Sequence, residues 1–285
     1  MSKWKDISKI DAHIHLTPDD VIEANRGYDG KFIVNGAAID YIEVMQKYNI
    51  EKAFIMPFND PYMLSMEFTV EAVHNNLLKI AQAYEGKFYC FADIDIRRNI
   101  EETLRELNRV FKNEFFIGIK LHPTNTGYPI DGLYYEKIFE YAEKNSILLE
   151  IHSYPRETLN DDVCSPIRIK KMLKKYPKAK VSVAHLGGFQ FEELIGTGVY
   201  ANISAVLPDL VNRYDIEATN IILRDFGIDR LVFATDYPDN RQLRPEDIYD
   251  RYFVILDSMD FNDEEIEKIC KTNALRMIGE IIKFY

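Results

Sequence analysis

Ile10-Asp11-Ala12-His13-Ile14-His15 ends a short apolar run with two histidines two residues apart. Side chains alternate along a strand, so Asp11, His13 and His15 are expected on one face of it. Polar endings of this kind recur along the chain. Lys120-Leu121-His122, Glu150-Ile151-His152, Ala184-His185 and Thr235-Asp236 each close a run of β-branched, aromatic or other apolar residues. Five of the six histidines therefore fall at the carboxyl ends of candidate strands.

Working outward, the strand candidates are Ile10–Leu16, Lys52–Phe58, Lys87–Ile94, Phe115–His122, Ile147–His152, Lys180–His185, Val199–Ser204 and Arg230–Asp236. Helical patterns lie between them near residues 40–49, 67–85, 99–113, 133–145, 166–176, 189–195 and 216–226. Two more follow, near 245–258 and 263–278. Helix ends carry punctuation: Gly86 and Gly227 suit C′ positions, Ser165-Pro166 suits an N-cap and N1 pair, and Asp263 opens the last helix. The apolar positions of that helix are Ile266, Ile269, Cys270 and Leu275. Eight strands alternating with helices predict an α/β fold, a (β/α)8 TIM barrel forming a single domain over residues 1–285. An open doubly wound sheet is the competitor, but it normally carries a glycine-rich turn after its first strand, and no G-x-G-x-x-G occurs.

Composition narrows the function. The 285 residues hold 35 Lys+Arg against 46 Asp+Glu, a net charge of −11, which argues against nucleic acid or an anionic membrane as partner. Three scattered cysteines (Cys90, Cys164, Cys270) exclude a disulfide scaffold and a cysteine-based zinc module. Met1-Ser2-Lys3-Trp4-Lys5-Asp6 has no signal core, and no apolar run approaches the ~18 residues of a membrane span. The expectation is a soluble protein of the reducing cytoplasm.

In a (β/α)8 barrel the carboxyl ends of all strands face one mouth. Two histidines from one strand, a third histidine from another and a carboxylate from yet another would supply nitrogen and oxygen ligands for a zinc-like ion, with a position left for water. Burying so many polar groups is costly unless a metal or a hydrogen-bond network satisfies them. Glu150 sits where an apolar residue is expected; it is either a partner orienting an imidazole or a sign of a shifted strand register. His185 is a candidate for polarising substrate or shuttling a proton. His122 shares a face with Lys120 and reads as a pocket residue, whereas His74, within the 67–85 helix, reads as a surface or packing histidine. The first loop, residues 17–39, carries Arg26, Tyr28 and Lys31. Other loops offer Asn59, Tyr128, Tyr154, Arg156, Tyr237, Arg241 and Arg244 for an anionic or aromatic substrate. Arg156, four residues beyond His152, leads that group.

The runs Ile10–His15, Gly118-Ile119-Lys120-Leu121-His122-Pro123, Ala184-His185-Leu186-Gly187-Gly188 and Phe233-Ala234-Thr235-Asp236-Tyr237-Pro238 resemble the amidohydrolase superfamily. The tail Thr272–Gly279 resembles that family's last helix. The likeness spans the whole chain and is strongest to the amidohydrolase-related group that includes aminocarboxymuconate-semialdehyde decarboxylase-like enzymes. It implies that His13, His15 and His152 ligate a divalent metal, with Asp236 as a further ligand or as the base for a metal-activated water. Zn suits that set; Mn, Fe or Co could take the place. In binuclear relatives the lysine ending strand four is carboxylated and bridges two metals, and the counterpart of His185 binds the second. Otherwise Lys120 is a buried cation balancing site carboxylates. The resemblance further implies a homodimer. It leaves two reactions open: hydrolysis of a small carboxylated cyclic amide, lactone or ester, and non-oxidative decarboxylation of a small carboxylic acid. A degenerate barrel serving as a binding module would lack ligands, and none is missing here.

Overall fold

A computed structural model describes residues 2–17, 36–57, 69–155, 162–238 and 247–279. Its strands are β1 (Lys9–Ile14), β2 (Ile50–Ile55), β3 (Phe88–Ala92), β4 (Phe116–Leu121), β5 (Leu148–His152), β6 (Lys180–Ala184), β7 (Tyr200–Asn202) and β8 (Leu231–Val232). They pair in chain order, each parallel to the next. β8 returns to β1 through Ala12 N–H to Phe233 O (3.0 Å), Asp236 N–H to His13 O (2.9 Å) and His15 N–H to Tyr237 O (2.7 Å). The sheet is thus a (β/α)8 TIM barrel, as the alternation predicts.

The helices, in chain order, are α1 (Lys3–Asp6), α2 (Ala38–Lys47), α3 (Val70–Ala83), α4 (Ile100–Val110), α5 (Pro123–Thr126) and α6 (Leu133–Asn145). They continue with α7 (Pro166–Lys175), α8 (Val206–Phe226), α9 (Asp247–Asp257), α10 (Asp263–Glu267) and α11 (Asn273–Gly279). Their caps follow the sequence: Thr69 accepts from Ala72 N–H, Asn99 from Glu102 N–H, and Asn262 forms a capping box with Glu265, one residue before the expected start at Asp263. No described helix is long and apolar enough to cross a membrane.

Three departures from the sequence reading have local causes. α8 starts at Val206, ahead of the expected 216, and is broken at Asp215 (φ 71°), whose carboxylate accepts from Ala218 N–H and restarts the helix. The expected helix at 189–195 is a 3-10 stretch, His185–Leu194, interrupted at Leu186, Gly187 and Gly188. Between α10 and α11 a π turn, Lys268–Thr272, widens the helix and changes its phase. Leu275 is consequently 36 % exposed, and Ala274, Met277 and Ile278 take the inward face instead.

The apolar core has two layers. Ile10, Ala12, Phe54, Met56, Phe91, Ile117, Leu148, Tyr200, Val232 and Ala234 pack with the three α11 residues inside the barrel. A larger layer, including Ile14, Ile55, Cys90, Ile119, Leu149, Val183 and Phe233, lies between strands and helices. The period-two reading of β1 fails at one point. Asp11 pairs with Ala53 and Ile14 with Ile55, so β1 carries one extra residue between them, a bulge. Ile10, Ala12, His13 and His15 therefore face inward, while Asp11 and Ile14 face the helices.

Candidate metal centre

The carboxyl ends of β1, β4, β5, β6 and β8 bring their polar residues together, and several of those residues leave the ladder. His122 caps α5, accepting from Asn125 N–H at Nδ1. His185 (φ 61°) and Asp236 (φ 67°) adopt left-handed backbone just past their strands, which turns their side chains out of the ladder's alternation.

The closest donors are His13, His15 and Asp236, whose ligand atoms all lie within 4.8 Å of one another. Asp236 Oδ1 is 3.4 Å from His13 Nε2 and 3.3 Å from His15 Nε2. A tetrahedral ion with bonds of ~2.0–2.1 Å would hold its ligands about 3.3–3.4 Å apart, so this set fits a small divalent metal. The opposite ring nitrogens are anchored to the protein. His15 Nδ1 lies 3.0 Å from Met56 O, and His13 Nδ1 lies 3.3 Å from Glu150 Oε1. These Nδ1–H donations assign the tautomer that aims Nε2 at the centre.

His152 stands beside this trio and outside its closest grouping. Its Nδ1 is 3.0 Å from His185 Nε2, and its ring stacks on His122 at 3.8 Å. His185 Nδ1 in turn lies 2.9 Å from both Ser204 O and Ser204 Oγ. Lys120 Nζ is 3.2 Å from His13 Nε2. Glu150 is fully inside, so the strand register was correct and its carboxylate meets His13 directly.

Burial is the largest influence on most of these groups. Together with neighbouring Lys120 and the other imidazoles, it holds His13, His122 and His152 well below the usual histidine range. Neutral imidazole is the form that binds metal. Burial lowers Lys120 to about 8 against the pull of Glu150 and Asp236, and raises Glu150 against Lys120, Ser182 and Asn202. For Asp236 burial opposes ionisation, but the His15 hydrogen bond and nearby His185, His15 and Lys120 outweigh it, holding the carboxyl at about 2.

Other sequence candidates are dispersed. Tyr154 edges the site, its ring 5.8 Å from His185 and its hydroxyl donating to Asp209 Oδ2 at 2.6 Å. Tyr237, expected to meet substrate, is instead packed in the core against Tyr41 at 4.9 Å and is 2 % exposed. Asp236 turns its side chain inward, so the next residue turns outward. Tyr128 packs on Tyr135. Arg156, Asn59, Arg26, Tyr28, Lys31, Arg241 and Arg244 lie outside the described residues. His74 is buried, so of its two sequence readings packing holds and surface does not.

Sequence reasoning missed Asn202 and Ser204. Asn202 donates to Glu150 Oε1 at 2.7 Å, while its Oδ1 accepts from Ser204 Oγ at 2.6 Å and from His185 N–H at 3.2 Å. It thereby ties the His13 support to the His185 support. The signal was present: Asn202-Ile203-Ser204 is another period-two polar ending of a candidate strand.

The amidohydrolase family model matches residues 10–279. The chain belongs to the amidohydrolase family. Among curated proteins no sequence matches it. Solved structures share the amidohydrolase fold at low identity. A 2,6-dihydroxybenzoate decarboxylase from Rhizobium superposes with a TM-score of 0.72 at 14% identity, covering 95% of this chain and 98% of that one. A 5-carboxyvanillate decarboxylase from Novosphingobium aromaticivorans, complexed with manganese and 4-hydroxy-3-methoxy-5-nitrobenzoic acid, gives 0.73 at 15% identity, covering 96% and 97%. An uncharacterized TIM-barrel protein from Bordetella bronchiseptica gives 0.71 at 19% identity, covering 96% and 99%.

Proposed function

We propose that this amidohydrolase-family chain is a metal-dependent hydrolase of a small carboxylated substrate, such as a cyclic amide, lactone or ester. One observation carries the reading: His13 Nε2, His15 Nε2 and Asp236 Oδ1 converge at ligand spacing while the distal nitrogens are tied to Met56 and Glu150. We assign these three residues as ligands, with His152 as a fourth through its Nε2. When bound, a divalent ion, for which zinc best suits the donors, supplies Lewis acidity and a water acidified toward pKa ~7.

The remaining roles belong to the chain. Asp236, ionised at neutral pH, accepts the proton of the attacking water at its carboxylate. His185, fixed through Nδ1 by Ser204, holds a proton at Nε2 as negative charge develops on the substrate, once substrate draws that nitrogen off His152 Nδ1. Lys120 balances the charge of Glu150 and Asp236. His122 and Tyr154 line the mouth with flat rings that suit a planar substrate.

Non-oxidative decarboxylation is a second reading of the same site. Two decarboxylases of hydroxylated benzoic acids share the fold over 95% and 96% of this chain, one of them crystallised with manganese and a nitrobenzoic acid. Here His185 would deliver its proton to the ring carbon that loses the carboxylate. The two readings separate in H₂¹⁸O. Metal-loaded protein is incubated with carboxylated lactones, cyclic amides and hydroxybenzoates. Hydrolysis places ¹⁸O in the product acid and releases no CO₂. Release of CO₂ with a solvent proton on carbon removes the hydrolase reading, and turnover of neither class in any metal form removes both.

A further inference from the structure

The two sides of the metal centre are carried by different ends of the sheet. His13 and His15 ride on β1, Asp236 follows β8, and these strands meet only at the seam that closes the barrel. β8 itself is a short strand. β8 pairs with β7 over two residue pairs, Ala201 with Leu231 and Asn202 with Val232. Beyond them, backbone hydrogen bonds from Ala12, Asp236 and His15 hold β1 to the segment after β8. A slip there would separate His13 from Asp236 without unfolding any helix.

Asp11 lies under this seam on the helix side, placed there by the β1 bulge. Its Oδ2 accepts from the Thr235 hydroxyl at 2.7 Å and from the Tyr249 hydroxyl at 2.6 Å. Its Oδ1 accepts from Thr235 N–H at 3.2 Å and from His13 N–H at 3.3 Å. Thr235 Oγ1 also accepts from Tyr237 N–H at 3.2 Å, so the residues on both sides of Asp236 are tied to one hydroxyl group. Tyr249 on α9 is backed by the Tyr41 hydroxyl of α2 at 3.0 Å. A single carboxylate thus grips the backbone of one ligand strand and both atoms that Thr235 offers, one residue before the other ligand. Packing alone would not ask for a carboxylate here: Asp11 is 0 % exposed in a layer otherwise filled by Ile14, Tyr41 and Tyr249.

We propose that Asp11 is a positioning residue, locking β1 to β8 through Thr235 and Tyr249 so that His13 Nε2 and Asp236 Oδ1 keep ligand spacing. The inference rests on the metal reading above and adds to it a part outside the coordination sphere. Partners that orient metal ligands typically change affinity by ~10–100-fold when removed.

The test titrates Co²⁺ into metal-free protein by competition with a chelator, and records the Co²⁺ visible absorption band and the melting temperature of the metal-free form. The variants are Asp11→Asn, Thr235→Val and Thr235→Ser, with His74→Ala as a loosening of the helical layer away from β1 and β8. Asp11→Asn and Thr235→Val are expected to weaken Co²⁺ binding by ~10–100-fold and to change the band. Thr235→Ser, which keeps the hydroxyl, restores both, and His74→Ala keeps parental affinity at a similar loss of melting temperature. Parental Co²⁺ affinity and band in Thr235→Val overturn the proposal even if Asp11→Asn fails to fold. So does a loss of affinity that merely tracks melting temperature across all four variants. If the parent protein itself takes up no Co²⁺, the metal reading fails, and this one with it.

Discussion

Two buried histidine–carboxylate groups in this barrel look alike in composition and differ in kind. On the helical layer, His74 of α3 lies 2.7 Å through Nδ1 from Glu106 Oε1 of α4, and its Nε2 accepts from Asp93 N–H at 2.8 Å. Arg109 completes the group with two bonds to Glu106 at 2.6 and 2.7 Å. Both ring nitrogens and both carboxylate oxygens therefore have protein partners in good geometry. At the mouth, His13 and His15 are also buried, and their Nδ1 atoms are tied back to Glu150 and Met56. Their Nε2 atoms crowd one carboxylate oxygen at 3.3–3.4 Å, a spacing that suits a shared ion, with Lys120 Nζ 3.2 Å from that of His13. Burial does not separate a candidate ligand from a core histidine. What separates the two groups is whether the second ring nitrogen meets one backbone N–H, as in His74, or converges with other donors on one point.

The sharpest way to break this comparison is to remove a donor. His13→Ala and Asp236→Ala should lower bound metal to below roughly a tenth of an ion per chain and turnover by ~10³-fold or more, measured by elemental analysis and initial rates. Full metal occupancy in either variant would contradict the assigned ligands. Glu150→Gln comes next, because it weakens the acceptor facing His13 Nδ1. Metal affinity should fall ~10–100-fold by competition titration, with the fold intact by circular dichroism.

His74→Ala probes the other group. It strands Glu106 and Asp93 N–H and should cost about 1–3 kcal/mol in denaturant unfolding, while metal content stays at the parental level. Loss of metal in this variant would erase the distinction drawn above. The smallest effect is a pH slope. Burial keeps His74 below its ordinary pKa, so the unfolded chain takes up a proton first as pH falls, and His74 favours folding only above about 6.5. Glu106, held at about 2 because Arg109 and His74 overcome its burial, adds stability that is lost between about 4.5 and 2. Both act in the same sense. His74→Gln should therefore flatten the stability–pH curve below pH 6.5 by up to about 1.4 kcal/mol per pH unit; an unchanged slope would show that His74 is charged in the folded protein.

Much of this was legible in the residue order. Eight strands alternate with helices, the missing glycine-rich turn favours a barrel over an open doubly wound sheet, and polar residues at apolar strand ends identify the mouth. That reading reached His13, His15, Lys120, His122, Glu150, His152, His185 and Asp236, all of which the fold brings together. It failed where a local irregularity changes the face that a residue presents. The bulge after Asp11 sends that carboxylate to the helices, the π turn before Asn273 exposes Leu275, and the turn at Asp236 buries Tyr237. Each is an insertion or a twist of one residue, which leaves hydropathy periodicity almost unchanged but rotates everything beyond it.

The sequence by itself determined the barrel and the set of residues at its mouth, because strand burial and the shared direction of parallel strands follow from short-range pattern. Which histidines converge at ligand spacing and which stand behind them was decided only by the tertiary structure. Those roles depend on ring nitrogens contributed by β1, β4, β5, β6 and the segment after β8, and on second partners such as Met56, Asn202 and Ser204. Their distances exist only once the sheet has closed on itself.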